Sequence, residues 1–190
     1  MHALGQSVTF ETDNPIPAAR TVAALNALLP DAVAVVEATE VPEKFHPRYG
    51  AVGKLYGYRI LARELRSPFI GRYAWHVTWE LDLDAMRQAA DVLLGEHDFV
   101  AFSSSGSSVE HTVRELRRLD LEQHGDIIEV RAEANGFLYM MVRRIVGTLV
   151  DVGRGLVTVD EVRQVLHSLD RTRVKTMAPP QGLTLIKVIY

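Results

Sequence analysis

The sequence predicts an α+β protein, with a mixed and mostly antiparallel sheet flanked by helices. Three observations carry that prediction. Strand-like runs come in neighbouring pairs, as in residues 112–134, which turn at His124-Gly125-Asp126. Helical runs with readable ends stand between the pairs and do not alternate one for one with strands, as a doubly wound βαβ repeat would require. The closing run LTLIKVIY is apolar on both faces, as in a strand inside a sheet.

The elements follow in order. SVTFET, residues 7–12, alternates Val8 and Phe10 and reads as a strand. Residues 18–29 have helical periodicity and stop at Pro30, and residues 32–41 read as a second strand. Residues 44–53, KFHPRYGAVG, form a loop by their Pro and Gly content. Residues 54–63 and 73–79 are strands. Asp82 is the N-cap of a helix that Gly95 ends. EHDFVAFSSSGSS, from Glu96 to Ser108, reads as a loop, in which Asp98 caps or orders the backbone. After the strand pair, a helix is expected over residues 137–152. The next helix opens with a capping box, Thr158 with Glu161 three residues on.

Composition narrows the chemistry. Of 190 residues 47% are hydrophobic and 24% charged, enough for one domain or two small ones. There is no cysteine, so a disulfide framework, a thiolate metal site and a cysteine nucleophile are excluded. His2, His46, His76, His97, His111, His124 and His167 lie far apart, without metal-ligand spacing. No signal-like leader opens the sequence, and no apolar run approaches the ~18 residues of a membrane span, so the cytoplasm is the expected location. The formal charge is −3, but it is segregated: residues 44–72 carry a local +6 and the remainder −9. A focused basic field on an acidic body suits an anionic partner. Walker, dinucleotide, nucleophile-elbow and zincin motifs are all missing from the sequence.

Two stretches pose questions. In FLYMMVRRIVGTLVDVG, residues 137–153, Arg143 and Arg144 interrupt an apolar run. Spacing favours both reaching the surface, with Arg144 snorkelling along its stem. If Arg143 is buried it needs a carboxylate or a phosphate. In KLYGYRI, Lys54, Tyr56 and Tyr58 share one strand face, either as a packing ladder or as a base-stacking platform beside cations. The neighbouring FHPRY adds Phe45, His46, Pro47, Arg48 and Tyr49. Aromatics interleaved with bases suit a phosphate backbone with unstacked bases. His76 reads as structural.

HALGQSVTFET, FHPRY, KLYGYRI, LLGEHDFVAF, NGFLYMMVRRIVGTLVDVG and DRTRVKTMAPPQGLTLIKVIY occur in the order in which the tRNA pseudouridine synthase A family carries them. The chain resembles that family from Met1 to Tyr190. The resemblance implies the pseudouridine synthase fold and isomerisation of uridine to pseudouridine in the anticodon stem-loop of tRNA, by a homodimer without cofactor or metal. It matches Tyr56 to the tyrosine packing on the target base and Arg143 to the arginine paired with the catalytic aspartate. Phe45 to Tyr49, and the loop Gly106, Ser107, Ser108, Val109 and Glu110, match two tRNA-contacting stretches, and Lys54, His46 and Arg48 are expected to steer RNA. Glu110 departs from the basic or neutral residue usual there.

In the family the aspartate lies in a Gly-Arg-Thr-Asp-x-Gly motif directly upstream of the residues that here read MHALGQ. The sequence is therefore expected to start just after it, with the fold's N-terminal part incomplete. Residues 1–43 would be the remnant of an N-terminal domain, and 44–190 the RNA-binding and catalytic-support domain. Three readings follow: an ordinary enzyme whose start was placed too far downstream, a non-catalytic RNA-binding remnant, and an inert fragment. Asp13 and Asp98 do not match the motif's position.

Overall fold

The structure, a computed structural model, describes residues 1–106 and 111–190. They form two compact units, Met1–Gln6 with Ala51–Tyr190, and Ser7–Gly50.

The larger unit is built on a seven-stranded sheet. Its strands are β1 (His2–Ala3), β2 (Gly53–Ala62), β3 (Trp75–Val77), β4 (Gly95–Asp98), β5 (Val113–His124), β6 (Ile127–Ala134) and β7 (Leu183–Ile189). Their order is β1-β7-β2-β6-β5-β4, with β3 pairing in parallel beside the end of β2. The β5–β6 hairpin turns at Gly125, whose φ of 59° a residue with a Cβ would adopt only under strain. Strand β7 lies between β1 and β2, so both its edges are used, as its two apolar faces suggested. On β6 every second residue is buried, the signature of a sheet with one face on the core. The smaller unit holds α1 (Ala18–Asn26).

Three helices complete the core: α2 (Leu83–Val92), α3 (Met141–Gly153) and α4 (Val159–Ser168). Met86, Ala89 and Ala90 of α2, Ile145 and Leu149 of α3, and Val162 and Leu166 of α4 pack with Ile60, Leu119, Ile128 and Val130 of the sheet. Asp82 caps α2 by accepting from the Ala85 N–H at 2.9 Å. The capping box of α4 is complete. The Glu161 N–H donates to Thr158 Oγ1 at 3.2 Å, and the Thr158 N–H donates to the Glu161 carboxylate at 2.7 Å. These bonds hold the Glu161 carboxyl below its ordinary range. A depressed carboxylate stabilises the fold above its unfolded pKa of about 4.3, and that contribution disappears as pH falls through the folded value. Thr158→Ala should lower the melting temperature by about 2–4 °C at pH 7. The gap to wild type should narrow in melts as pH falls through the depressed folded value, where the carboxylate is lost.

Several expectations need correction. Residues 7–12 and 32–41 are not strands: Val8, Phe10 and Val36 are exposed, and alternation without a ladder partner makes no sheet. Asn26 takes up the backbone at Val35 instead, donating to its carbonyl at 2.9 Å and accepting from its N–H at 2.7 Å. The stretch after Gly95 is not all loop, since Gly95–Asp98 forms β4 on β5 and Val100–Phe102 a 3-10 turn. Asp98 orders that turn, as expected, by accepting from the Val100 N–H at 3.0 Å. The helix expected from Phe137 begins only at Met141, because Met140 turns left-handed at φ 63°.

Candidate functional site

Strand β2 is the spine of the site. Antiparallel β6 flanks it in continuous register from Lys54 to Leu61, while its pairing with β7 slips between Leu55 and Tyr56. Such irregularities re-aim side chains beside functional sites. Tyr56 is half-buried, with its ring edge-on to Phe137 at 5.2 Å and 90°. The turn at Met140 keeps Phe137 outside α3, where it can meet Tyr56. Burial raises the Tyr56 phenol above its ordinary pKa, so it stays neutral at physiological pH.

Tyr58, one step along the same face, is 1% exposed. It is no base-stacking platform. Gly182 lies so close that a Cβ there would stand 2.6 Å from the ring. Its hydroxyl donates to the Pro179 carbonyl at 2.7 Å. Burial drives its pKa far up, and the nearby Arg143 guanidinium pulls partly against that. Tyr58 and Arg143 are therefore electrostatic neighbours.

Arg143 is half-buried on the first turn of α3. Its Nε donates to the Ala178 carbonyl at 2.6 Å, the Ala178 N–H returns a bond to the Arg143 carbonyl at 3.0 Å, and Nη1 lies 3.1 Å from the Met140 sulfur. No ion pair among the described residues includes it. Arg144 does not snorkel outward. Nη2 turns in to the carbonyls of Ala101, Arg171 and Val174, which spares a half-buried cation the cost of losing water without partners. Two adjacent arginines thus have different surroundings. Arg144 ties down two backbone segments through three carbonyls, whereas Arg143 is fixed at its base by one, and no described carboxylate pairs with either.

The 176–182 strap is the part of this site that sequence reasoning missed. It supplies the carbonyls for Arg143 and Tyr58, and it crosses α3 at Gly147, where no side chain fits. The signal was present in APPQG, whose two prolines and glycine mark a fixed irregular segment, with a 3-10 turn at Pro180–Gly182.

FHPRY forms a tight turn within the smaller unit. His46 Nδ1 accepts from the N–H groups of Arg48 and Tyr49 at 3.1 and 3.3 Å, and the His46 and Tyr49 rings lie 4.4 Å apart. The Arg48 guanidinium stands 5.9 Å from the Tyr49 ring, and Tyr49 is 79% exposed. A cation and an open aromatic face on one turn suit a phosphate and a base. Phe45 and Pro47 are half-buried, and Lys54 is half-buried on β2. Gly106 has φ 97°, while Ser107, Ser108, Val109 and Glu110 lie outside the described residues. His76 is structural, bonded to the Arg63 carbonyl at 2.8 Å. Among the described residues no helix is long and apolar enough to cross a membrane.

The site therefore joins a tyrosine-bearing strand of a mixed sheet to an arginine on the first turn of a helix. Comparison with known proteins gives the family. The tRNA pseudouridine synthase family matches residues 89–190. A tRNA pseudouridine synthase A of Thermoanaerobacter sp. (strain X514) is 48% identical over 190 residues, all of this chain and 78% of the relative. Those of Geobacter sp. (strain M21) and Acetivibrio thermocellus are 44% and 43% identical, again over all of this chain and 77% and 78% of theirs. The chain belongs to the tRNA pseudouridine synthase family.

Proposed function

We propose that the protein isomerises uridine to pseudouridine in the anticodon stem-loop of tRNA. The observation that carries this is the likeness over the whole chain to a tRNA pseudouridine synthase A, 48% identical, together with Arg143 held through Nε beside Tyr58. The reaction breaks the bond from ribose C1′ to uracil N1, turns the base and rejoins it through C5; the C5 proton is then lost and N1 takes one up, so composition does not change. A carboxylate at the sugar is needed as nucleophile or base. In this reading Arg143 orients that carboxylate and keeps it ionised. Tyr56 packs on the loose uracil and excludes water, with Phe137 bracing its edge. Phe45 to Tyr49, Lys54 and the loop from Gly106 to Glu110 hold the RNA backbone. Residues 44–190 carry RNA binding and catalytic support, the assembly is a symmetric homodimer, and the work is cytoplasmic.

A second reading, a non-catalytic RNA binder, is favoured by one observation: no described carboxylate faces Arg143. One assay separates the two. The protein is incubated with unmodified tRNA transcript, and nucleosides are separated by mass spectrometry after carbodiimide labelling. Pseudouridine in the anticodon arm supports the enzyme. Tight, salt-sensitive tRNA binding without pseudouridine supports the binder and sinks the catalytic reading. Within the enzyme reading, Tyr56→Ala should lower turnover at least about tenfold, the scale of one lost base-stacking contact.

A further inference from the structure

A second cationic site is centred on Arg171. A cavity of about 170 Å³ is lined by Ser103, Ser104, Ser105, Gly106, Thr112 and Arg171, with Leu138 as its apolar wall. None of these is acidic. Ser103 is 3% exposed and accepts from Arg171 Nε at 3.0 Å, while its own hydroxyl donates to the Val100 carbonyl at 2.8 Å. A buried hydroxyl thus aims an otherwise exposed guanidinium along the cavity.

Among the described residues no carboxylate lines the cavity, and Asp170, next to Arg171, accepts instead from the Thr172 N–H and hydroxyl. Arg144 donates to the Arg171 carbonyl, yet its own Nε is buried with no hydrogen-bond partner. Burial lowers the Arg144 pKa, and the Arg171 charge lowers it further. Two guanidiniums close enough to repel, with no ion pair to either among the described residues, leave a local potential that an anion would relieve. The ligand chemistry follows from the lining. Hydroxyls and a guanidinium fork match several tetrahedral oxygens better than one planar carboxylate.

We propose that this cavity is a phosphate subsite in which Arg171, positioned by Ser103, and the hydroxyls of Ser104, Ser105 and Thr112 receive an oxyanion, and that on RNA the oxyanion is a backbone phosphodiester. The second half rests on the RNA-binding reading above. The first half stands without it.

Arg171→Gln and Arg171→Lys test the site, because both keep the backbone carbonyl that Arg144 uses. Inorganic phosphate, against chloride of equal ionic strength, should raise the wild-type melting temperature by about 3 °C at ten times its dissociation constant, and should not move Arg171→Gln. Binding of a labelled anticodon stem-loop is then followed against salt by anisotropy. Arg171→Gln should flatten the log–log slope by about 0.7–0.9, while Arg171→Lys keeps it. Loss of the phosphate response with an unchanged RNA slope would overturn the phosphodiester half and leave a site for free phosphate. No phosphate response in wild type would overturn the subsite. A wild type that responds to phosphate but binds no RNA would overturn the RNA reading and leave the subsite standing. If Arg171→Gln melts well below wild type without phosphate, Thr112→Val tests the site instead: it should cut the phosphate response and weaken stem-loop binding at fixed salt with the slope unchanged, since no cation is lost, and an undiminished phosphate response would overturn the subsite.

Discussion

Gly147→Ala should lower the melting temperature by about 6–12 °C, the scale of an overpacked core position in a domain of this size. Gly147 is buried in the middle of α3, where the 176–182 strap crosses. A Cβ there would stand inside the Thr176 carbonyl, 2.7 Å from its carbon and 3.2 Å from the Ala178 nitrogen. These are backbone atoms, so no side chain can swing aside. Either α3 or the strap must move, and the strap carries the carbonyl that fixes Arg143. The same substitution should therefore cut pseudouridine formation by more than the unfolded fraction explains. Melting curves and turnover at a temperature where both proteins are folded separate the effects. A melting temperature within about 2 °C of wild type would show that the helix and strap part without strain at this crossing.

Arg143→Met should reduce pseudouridine formation by about 10²- to 10³-fold. That is the rate equivalent of roughly 3–4 kcal/mol, the range for removing one partner of a buried charge pair. Methionine keeps the bulk of the aliphatic stem but loses the guanidinium and its bond to the Ala178 carbonyl. RNA affinity should stay within about twofold, because this arginine is read as serving the carboxylate and not the phosphate backbone. Arg143→Lys keeps a charge but not the fork, so it should recover only part of the rate. Turnover within about fivefold of wild type for Arg143→Met would remove the arginine from the mechanism. A parallel loss of RNA affinity would move it to the binding surface.

Legibility in the sequence varied with how local the cause was. Asp82, the Thr158–Glu161 box and the Gly125 turn were readable because a cap or a turn involves residues within a few positions of each other. Strands β2, β5, β6 and β7 were readable because burial on one or both faces leaves a period in the chain. The same rule misled at residues 7–12 and 32–41, where the period is present but no neighbour supplies a ladder. Strand β4 was missed because its four residues, Gly95–Asp98, are polar and become a strand only by pairing with β5.

By itself the sequence determined the α+β class, the family, and the residue types at the site: a tyrosine strand, an arginine pair in an apolar helix, and a basic aromatic turn. The tertiary structure alone decided which backbone each arginine meets, three carbonyls for Arg144 and one for Arg143 beside Tyr58. It also decided that Tyr58 braces the strap while Tyr56 meets Phe137. The reason is physical. Arg143 and Arg144 are adjacent and chemically identical, so their difference lies wholly in what the fold brings to each. For Arg143 that is Ala178, 35 residues away, and for Arg144 it is Ala101, Arg171 and Val174, from two segments that meet only in the packed core.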